Sequence, residues 1–552
     1  MIDRFLHAHY AGRPTLLLVA VFALALVSPS ATALSATALS APVVPSGVAR
    51  TAPRPNGHTL PKPVARAAAP TASGLPASEP AAVGMSGTRL ATIDRVVQRG
   101  LEAGGYPGAA VVVGRKGYNV WSRGFGSLDW SGKRHVIADE SIYDLASLTK
   151  VIGTTTAIMV LYDQGKIELD APVSRYLPSF TGGMRDQVTV RHLLTHRAGL
   201  PAGRELWRSA STPAEARALV LASPVQCTPG QCYEYSDLGA DLLGFVAEAA
   251  AGEPLDTFLA RTVFGRLGMT DTRYRLGAAD IDRTAPTEIA PPRGYPLRGE
   301  VHDENAWALG GVAGHAGLFS TASDLSVFAQ MLVDGGTYKG VRVVADSTVT
   351  LFTRRAAGHR ALGWDTCAGG AGCGQYLSER AYGHTGFTGT SLWIDPDRHM
   401  FVILLTNRVH AARARRPSKV IADVRNDLAD AAVLAVMDDP SGVLAMPAAF
   451  RADRAEDWNR PLRSTRGLSA AARRRAASAK HGSSRSTGSK SASKSKGSAS
   501  KSHSRSAKSP TIAKASVGKS SSHASKASAS KGKKPPAHKK SSSRSKGSRA
   551  TH

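Results

Sequence analysis

Apolar residues recur at three- and four-residue intervals in Leu90, Ile93, Val97 and Leu101, a spacing that predicts an amphipathic helix with Ser86 as its cap. Two strand patterns follow, Ala109–Gly114 and Tyr118–Phe125, joined by a turn at Arg115-Lys-Gly117. From Ser147 to about Gly340 the chain reads as helical patterns and long loops. Within it, Val151–Tyr162 and Ala240–Ala249 are apolar or small nearly all round, which marks buried helices rather than solvent-facing ones. Strand patterns return at Thr390–Ile394 and Met400–Thr406 around the turn sequence Asp395-Pro-Asp-Arg398. An amphipathic helix at Pro417–Met437 closes this body. Strands at both ends with helices between them predict an α/β (α+β) fold. One antiparallel sheet is built from the N- and C-terminal parts, with a helical region inserted and a site expected at their junction.

Composition divides the rest of the chain. Thr15–Val27 is an apolar run behind Arg4 and Arg13, followed by the small-x-small sites Ala31-Thr-Ala33 and Ala36-Thr-Ala38, so residues 1–33 read as a signal peptide. The run is shorter than the about 20 residues a membrane span needs, so no stable span is expected after cleavage. No Cys follows it, which disfavours a lipid anchor. Residues 34–78, rich in Ala, Pro, Ser and Thr, read as a linker, 79–440 as the folded domain and 441–462 as an extension.

Residues 463–552 are mostly Ser, Lys, Ala, Arg and Gly. Residues 461–552 hold 24 Lys and Arg and no Asp or Glu, so the net charge of +28 for the whole chain falls to +4 over residues 1–460. Such a segment cannot bury enough apolar surface to offset its ordering entropy and is expected to be disordered. Its expected partners are anionic cell-envelope polymers, with no specific nucleic acid. The four cysteines form two close pairs, Cys227 with Cys232 and Cys367 with Cys373. In an exported, periplasmic or extracellular protein, local disulfides are expected ahead of a Zn site.

The candidate chemistry starts at Asp144-Leu-Ala-Ser-Leu-Thr-Lys150. Ser147 and Lys150 share a helix face, and a serine hydroxyl becomes a useful nucleophile when a neighbouring base takes its proton. Lysine is such a base only where burial or nearby cations depress its pKa. A Ser-x-x-Lys match alone carries little weight, since the tail repeats it at Ser491–Lys494 and Ser493–Lys496. Three further segments add weight. Tyr233–Gly239 contains Tyr235, and a tyrosine beside a lysine ammonium can act as a base. Gly383–Thr390 brings glycines that let a substrate backbone approach and His384 as a donor or tunable charge. Val188–Pro201 carries His192 and His196 four apart. With no Glu between them in the metal-binding His-Glu-x-x-His order, they read as structural histidines.

In this order the segments resemble the serine β-lactamase and penicillin-binding-protein superfamily, in its class C-like branch of esterases, DD-peptidases and amidases. Ser147-Leu-Thr-Lys150 matches the nucleophile motif. Tyr235-Ser-Asp237 matches Tyr-x-Asn with Asp for Asn, and His384-Thr-Gly386 matches Lys-Thr-Gly in its His form. Thr189–Pro201 looks like the branch's signature loop, and similarity covers roughly residues 80–440. Gly299–Ala306 and Gly310–Ser320 look closest to exported N-acetylmuramoyl-L-alanine amidases that act on muropeptides.

The resemblance implies a β-lactamase-like fold and an acyl-enzyme on Ser147, with Lys150 and Tyr235 sharing the proton work. The N–H groups of Ser147 and Phe387 form the oxyanion hole. Asp237, His384, Thr385 and Gly386 position a small-molecule or peptidoglycan-fragment substrate. His302 and Asp303 either line the pocket or belong to a structured loop. No cofactor and no metal is implied. The departures at Asp237 and His384 argue against efficient β-lactam hydrolysis. Alternatives are a carboxylesterase or DD-peptidase with the same machinery, and a non-catalytic protein that binds cell-envelope or other polyanionic material.

Overall fold

The computed structural model describes residues 74–370, 372–410 and 418–454. Residues 1–33, expected to be a signal peptide, most of the expected linker and the residues expected to form a disordered basic tail lie outside them. Six antiparallel strands form the central sheet: β1 (Gly108–Arg115), β2 (Tyr118–Gly126), β3 (Asp365–Thr366), β4 (Tyr382–Thr385), β5 (Ser391–Asp395) and β6 (Met400–Thr406). Their spatial order is β2-β1-β6-β5-β4-β3. The N-terminal hairpin meets the C-terminal strands along β1 and β6, where Ala109 pairs with Thr406 and Arg115 with Met400. The hairpin turn needs two left-handed residues, and Lys116 (φ 50°) and Gly117 (φ 89°) supply them.

β1 is buried along its whole length because both faces of the sheet are covered. Its side chains alternate between two cores, as the two-residue period of a strand requires. Ala110 and Val112 join Phe401, Ile403 and Leu405 of β6 against the inserted helical region. Ala109, Val111 and Val113 join Met400, Val402 and Leu404 against helices α1 (Thr92–Glu102) and α7 (Ser418–Leu434). Burying one such valine stabilises the fold by about 1.5–3 kcal/mol. The Gly-poor, β-branched run Val111–Val113 is therefore the natural sheet centre.

The inserted region contributes α2 (Thr156–Asp163), α3 (Val190–Leu194), α4 (Asp237–Ala251), α5 (Glu304–Ala308) and α6 (Ala322–Val333). Ser147 lies in a 3₁₀ turn, Ala146–Leu148. A π-helical segment, Lys150–Thr155, follows and runs straight into α2. Every residue of Lys150–Thr155 is buried, which fits its apolar pattern.

Two boundaries differ from the sequence reading. Leu75 is buried, and the chain at Pro76 and Ser78 bonds to both sides of Asn119 (2.9 and 3.1 Å), so the last residues assigned to the linker line the sheet edge. The extension after residue 440 also packs back. Phe450 and Ala452 are buried beside α7, and Arg451 donates to Asp427 at 3.0 Å.

Candidate active site

The turn that presents Ser147 is under local strain and is held from both sides. Ala146 has φ 48°, a costly conformation for a residue with a Cβ. Its N–H donates to buried Asp144 (2.8 Å), whose other carboxylate oxygen accepts from His302 N (2.7 Å). From the sheet side, the hydroxyls of Thr388 and Thr390 donate to the carbonyls of Asp144 (2.8 Å) and Leu145 (3.0 Å). Gly386 sits where a Cβ would lie on the Thr390 hydroxyl and 2.5 Å from the Leu145 carbonyl, so only glycine permits this approach. The Gly383–Thr390 segment is thus clasped to the Ser147 turn, and Phe387 stands at its apex with its side chain exposed. The Phe387 ring stacks on His302 (centroids 5.8 Å apart), with the Arg408 guanidinium 4.8 Å from it.

Lys150 is buried; its Nζ donates to Ser147 Oγ (3.1 Å) and to the His315 carbonyl (3.1 Å), and it forms an ion pair with Asp237 Oδ1 (2.7 Å). Its Nζ also lies 5.0 Å from the centroid of the Tyr235 ring. Burial pulls its pKa down, but the Asp237 carboxylate, with Tyr235, outweighs burial and holds the group above its ordinary value. The condition under which lysine serves as the base, a depressed pKa, is not met here: the cation has a carboxylate partner, which Asn in the second motif would not supply. In this geometry Lys150 donates to Ser147 Oγ.

Tyr235 lies between two imidazoles, His196 at 4.6 Å and His384 at 6.0 Å between centroids. Both are buried. Burial, reinforced by Arg360 and Lys150, holds His196 well below its ordinary value. Burial pushes His384 down to about 4 despite Asp365 nearby. Both rings are therefore neutral at pH 7. His196 accepts from Ser236 N at Nδ1 (3.1 Å), which leaves its proton on Nε2. His384 is 2 % exposed and turns Nδ1 to the Thr385 carbonyl (2.8 Å), so it lies behind Tyr235 rather than on the open face. His192 closes a capping box with Thr189 (3.3 Å each way). Among the described residues no His, Cys, Asp and Glu cluster suits a metal ion.

Cys227 and Cys232 are bridged, which pins the loop leading to Tyr235. Cys367 and Cys373 are separate thiols, contrary to the expected second disulfide. The turn Cys367–Gly369 aims the Cys373 sulfur at the Cys367 and Gly374 carbonyls (3.9 and 3.8 Å), and the pair interacts as hydrogen-bonded thiols.

The sequence reading assigned no role to Asp144, Asp241 or His315. His315 Nδ1 lies 2.7 Å from Asp241 and its Nε2 2.9 Å from Asp303. Asp241 is one helical turn beyond Asp237 on α4, a spacing that was open to detection.

Comparison with known proteins agrees with this geometry. The family model described as beta-lactamase matches residues 93–425. A Salmonella schwarzengrund protein with the provisional name D-alanyl-D-alanine carboxypeptidase is 32% identical over 378 residues, covering 61% of this chain and 87% of its own. Among solved structures, EstCE1, a hydrolase with promiscuous acyltransferase activity, superposes with TM-score 0.51 at 24% identity, covering 63% of this chain and 99% of its own. A penicillin-binding protein homologue from Caulobacter crescentus gives 0.51 at 22%, covering 64% and 99%. At such identities these two structures speak for the fold. With the family model matched over more than half the chain, this protein belongs to the beta-lactamase family and is one of its serine hydrolases.

Proposed function

We propose that Ser147 attacks the carbonyl of an amide in a peptidoglycan-derived peptide and forms an acyl-enzyme that water then hydrolyses. The observation that carries this reading is the 3.1 Å contact between Ser147 Oγ and the buried Lys150 ammonium, itself fixed 2.7 Å from Asp237. As the Oγ–carbon bond forms, the serine proton passes to Tyr235 acting as a phenolate, whose negative charge the neighbouring Lys150 ammonium offsets until the proton arrives and leaves a neutral phenol. The N–H groups of Ser147 and Phe387 receive the carbonyl oxygen as it becomes an oxyanion. Tyr235 returns the proton to the leaving amine, and the same groups act in reverse on the attacking water. His384 and His196 hold the Tyr235 ring, while Thr385 and Gly386 border the substrate strand.

The peptide reading is supported by the carboxypeptidase name of the Salmonella relative and by the Gly299–Ala306 and Gly310–Ser320 segments. A second reading, hydrolysis of short esters, is favoured by His384, which is neutral and buried where the Lys-Thr-Gly motif has its cationic lysine. Purified protein assayed in parallel on muropeptides, p-nitrophenyl acetate and nitrocefin tests this. Amide cleavage in muropeptides is expected to dominate, and turnover of the ester alone would shift the assignment to an esterase.

The protein is proposed to act outside the cytoplasm, in keeping with residues 1–33 and the Cys227–Cys232 bridge. The 24 positive charges of the tail are proposed to tether it to anionic envelope polymers. Truncation after Pro461 is expected to leave ester turnover unchanged and to abolish salt-sensitive retention on envelope material.

A further inference from the structure

Lys150 owes one of its three contacts to a main-chain atom, the carbonyl of His315. That carbonyl has no obvious reason to be well fixed, since it belongs to the glycine-rich segment Gly310–Ser320. The His315 side chain supplies the reason. It is 1 % exposed and gripped at both ring nitrogens, by Asp241 of α4 (2.7 Å) and by Asp303 (2.9 Å). With both carboxylates ionised, both ring nitrogens carry hydrogen and donate, although burial raises the Asp241 carboxyl above its ordinary value. Burial opposes that charge, but the two carboxylates outweigh it and hold His315 well above its ordinary value. Burial likewise opposes the Asp303 charge, and His315 outweighs it.

Each end of this bridge is anchored in the site. Asp241 lies one turn along α4 from Asp237, the carboxylate that binds Lys150. Asp303 caps α5 by accepting from Asn305 N and Ala306 N (2.9 Å each), and the preceding residue, His302, binds Asp144 under the Ser147 turn. The segment itself is pressed on α4: a Cβ on Gly314 would fall on the Ala240 carbonyl, and the Gly314 carbonyl accepts from Thr154 (2.7 Å), four residues after Lys150. The ring of contacts closes as Lys150, His315, Asp303, the adjoining His302, Asp144 and back to the Ser147 turn.

We propose that His315, clamped between Asp241 and Asp303, is a positioning residue for the reaction, setting the direction of the Lys150 ammonium through its own main-chain carbonyl. The proposal rests on the reading of Ser147 and Lys150 given above. It touches neither substrate nor the reacting atoms. Its effect should appear in the rate of the chemical step and not in binding, because a misdirected Lys150 misplaces charge by a fraction of an ångström where geometry governs rate.

Two variants of the full chain test it, His315→Asn and Asp303→Asn. Asparagine is a good helix cap, so Asp303→Asn keeps α5 capped and removes only the charge that grips His315. Reactive sites are counted by titrating one portion to completion with a fluorophosphonate, and kcat per titratable (labelled) site and KM are measured on a second, unlabelled portion with p-nitrophenyl acetate. The expected result is a loss of about tenfold to a hundredfold in kcat per labelled site, with KM nearly unchanged and the smaller loss in Asp303→Asn. A role in stability alone lowers the melting temperature and the labelled fraction, leaving kcat per labelled site within about twofold of the parent; that result overturns the proposal. Should His315→Asn not fold, Asp303→Asn decides in the same two directions. Absence of label on Ser147 in the unsubstituted protein is a different outcome, which refutes the underlying assignment and is read before the variants are compared.

Discussion

Asp237 shows how one atom changes the chemistry of a motif. An amide at this position would leave Lys150 buried among neutral acceptors, and burial would then draw its pKa down. The carboxylate, 2.7 Å away, reverses the sign. Asp237→Asn is therefore expected to move the alkaline limb of the kcat/KM profile to lower pH, because Lys150 then sheds its proton more readily; an unmoved limb would show that Lys150 does not titrate in the active enzyme. The histidines beside Tyr235 carry the opposite sign in acid. His384 is held at about 4, below its ordinary 6.5, so the unfolded chain binds more protons between these values. Stability is then complete above about pH 6.5 and falls as pH drops towards 4. Replacing His384 with Asn should flatten the fall in melting temperature over that window, with His196 supplying the remainder. An unchanged slope would mean that the two rings are not the groups responsible.

At the level of elements, the site is made where a strand end is fastened to a helix start. Gly386 is the point of closest approach, and Gly386→Ala is expected to push the Phe387 turn off the Ser147 turn. Overpacking of this kind costs about 1–3 kcal/mol, so the fold should survive while kcat falls by on the order of a hundredfold; near-normal turnover would remove Phe387 N–H from the oxyanion hole. These elements were unequally legible in the sequence. Met400–Thr406 carries seven consecutive strand formers and was assigned with its observed ends. The two-residue strand Asp365–Thr366 has too few positions for any period and was not found. Ser147 and Lys150 were legible because helical spacing places them together. The contact of Lys150 with His315 spans 165 residues of sequence and depends on a backbone oxygen, which no residue pattern encodes. The direction of the Lys150 shift was not legible for a related reason: burial could be read from the apolar run, whereas the distance to Asp237 could not.

For the whole molecule, the sheet joins the two ends of the domain, and both of its covered faces reach the site. One face packs directly on the helix that follows Lys150, and from the other Arg425 of α7 donates to the carbonyls of Gly386 (2.6 Å) and Thr390 (2.8 Å). Thiol content checks the global covalent picture: protein denatured without reductant should show two reactive thiols, from Cys367 and Cys373, and either none or four would contradict the observed pairing. The central claim, that Ser147 carries the acyl group, is tested most directly by mass-spectrometric mapping of the fluorophosphonate adduct. The account predicts one adduct on the peptide containing Ser147, absent in Ser147→Ala at a nearly unchanged melting temperature. An adduct on another serine, or hydrolysis that persists in Ser147→Ala, would contradict it.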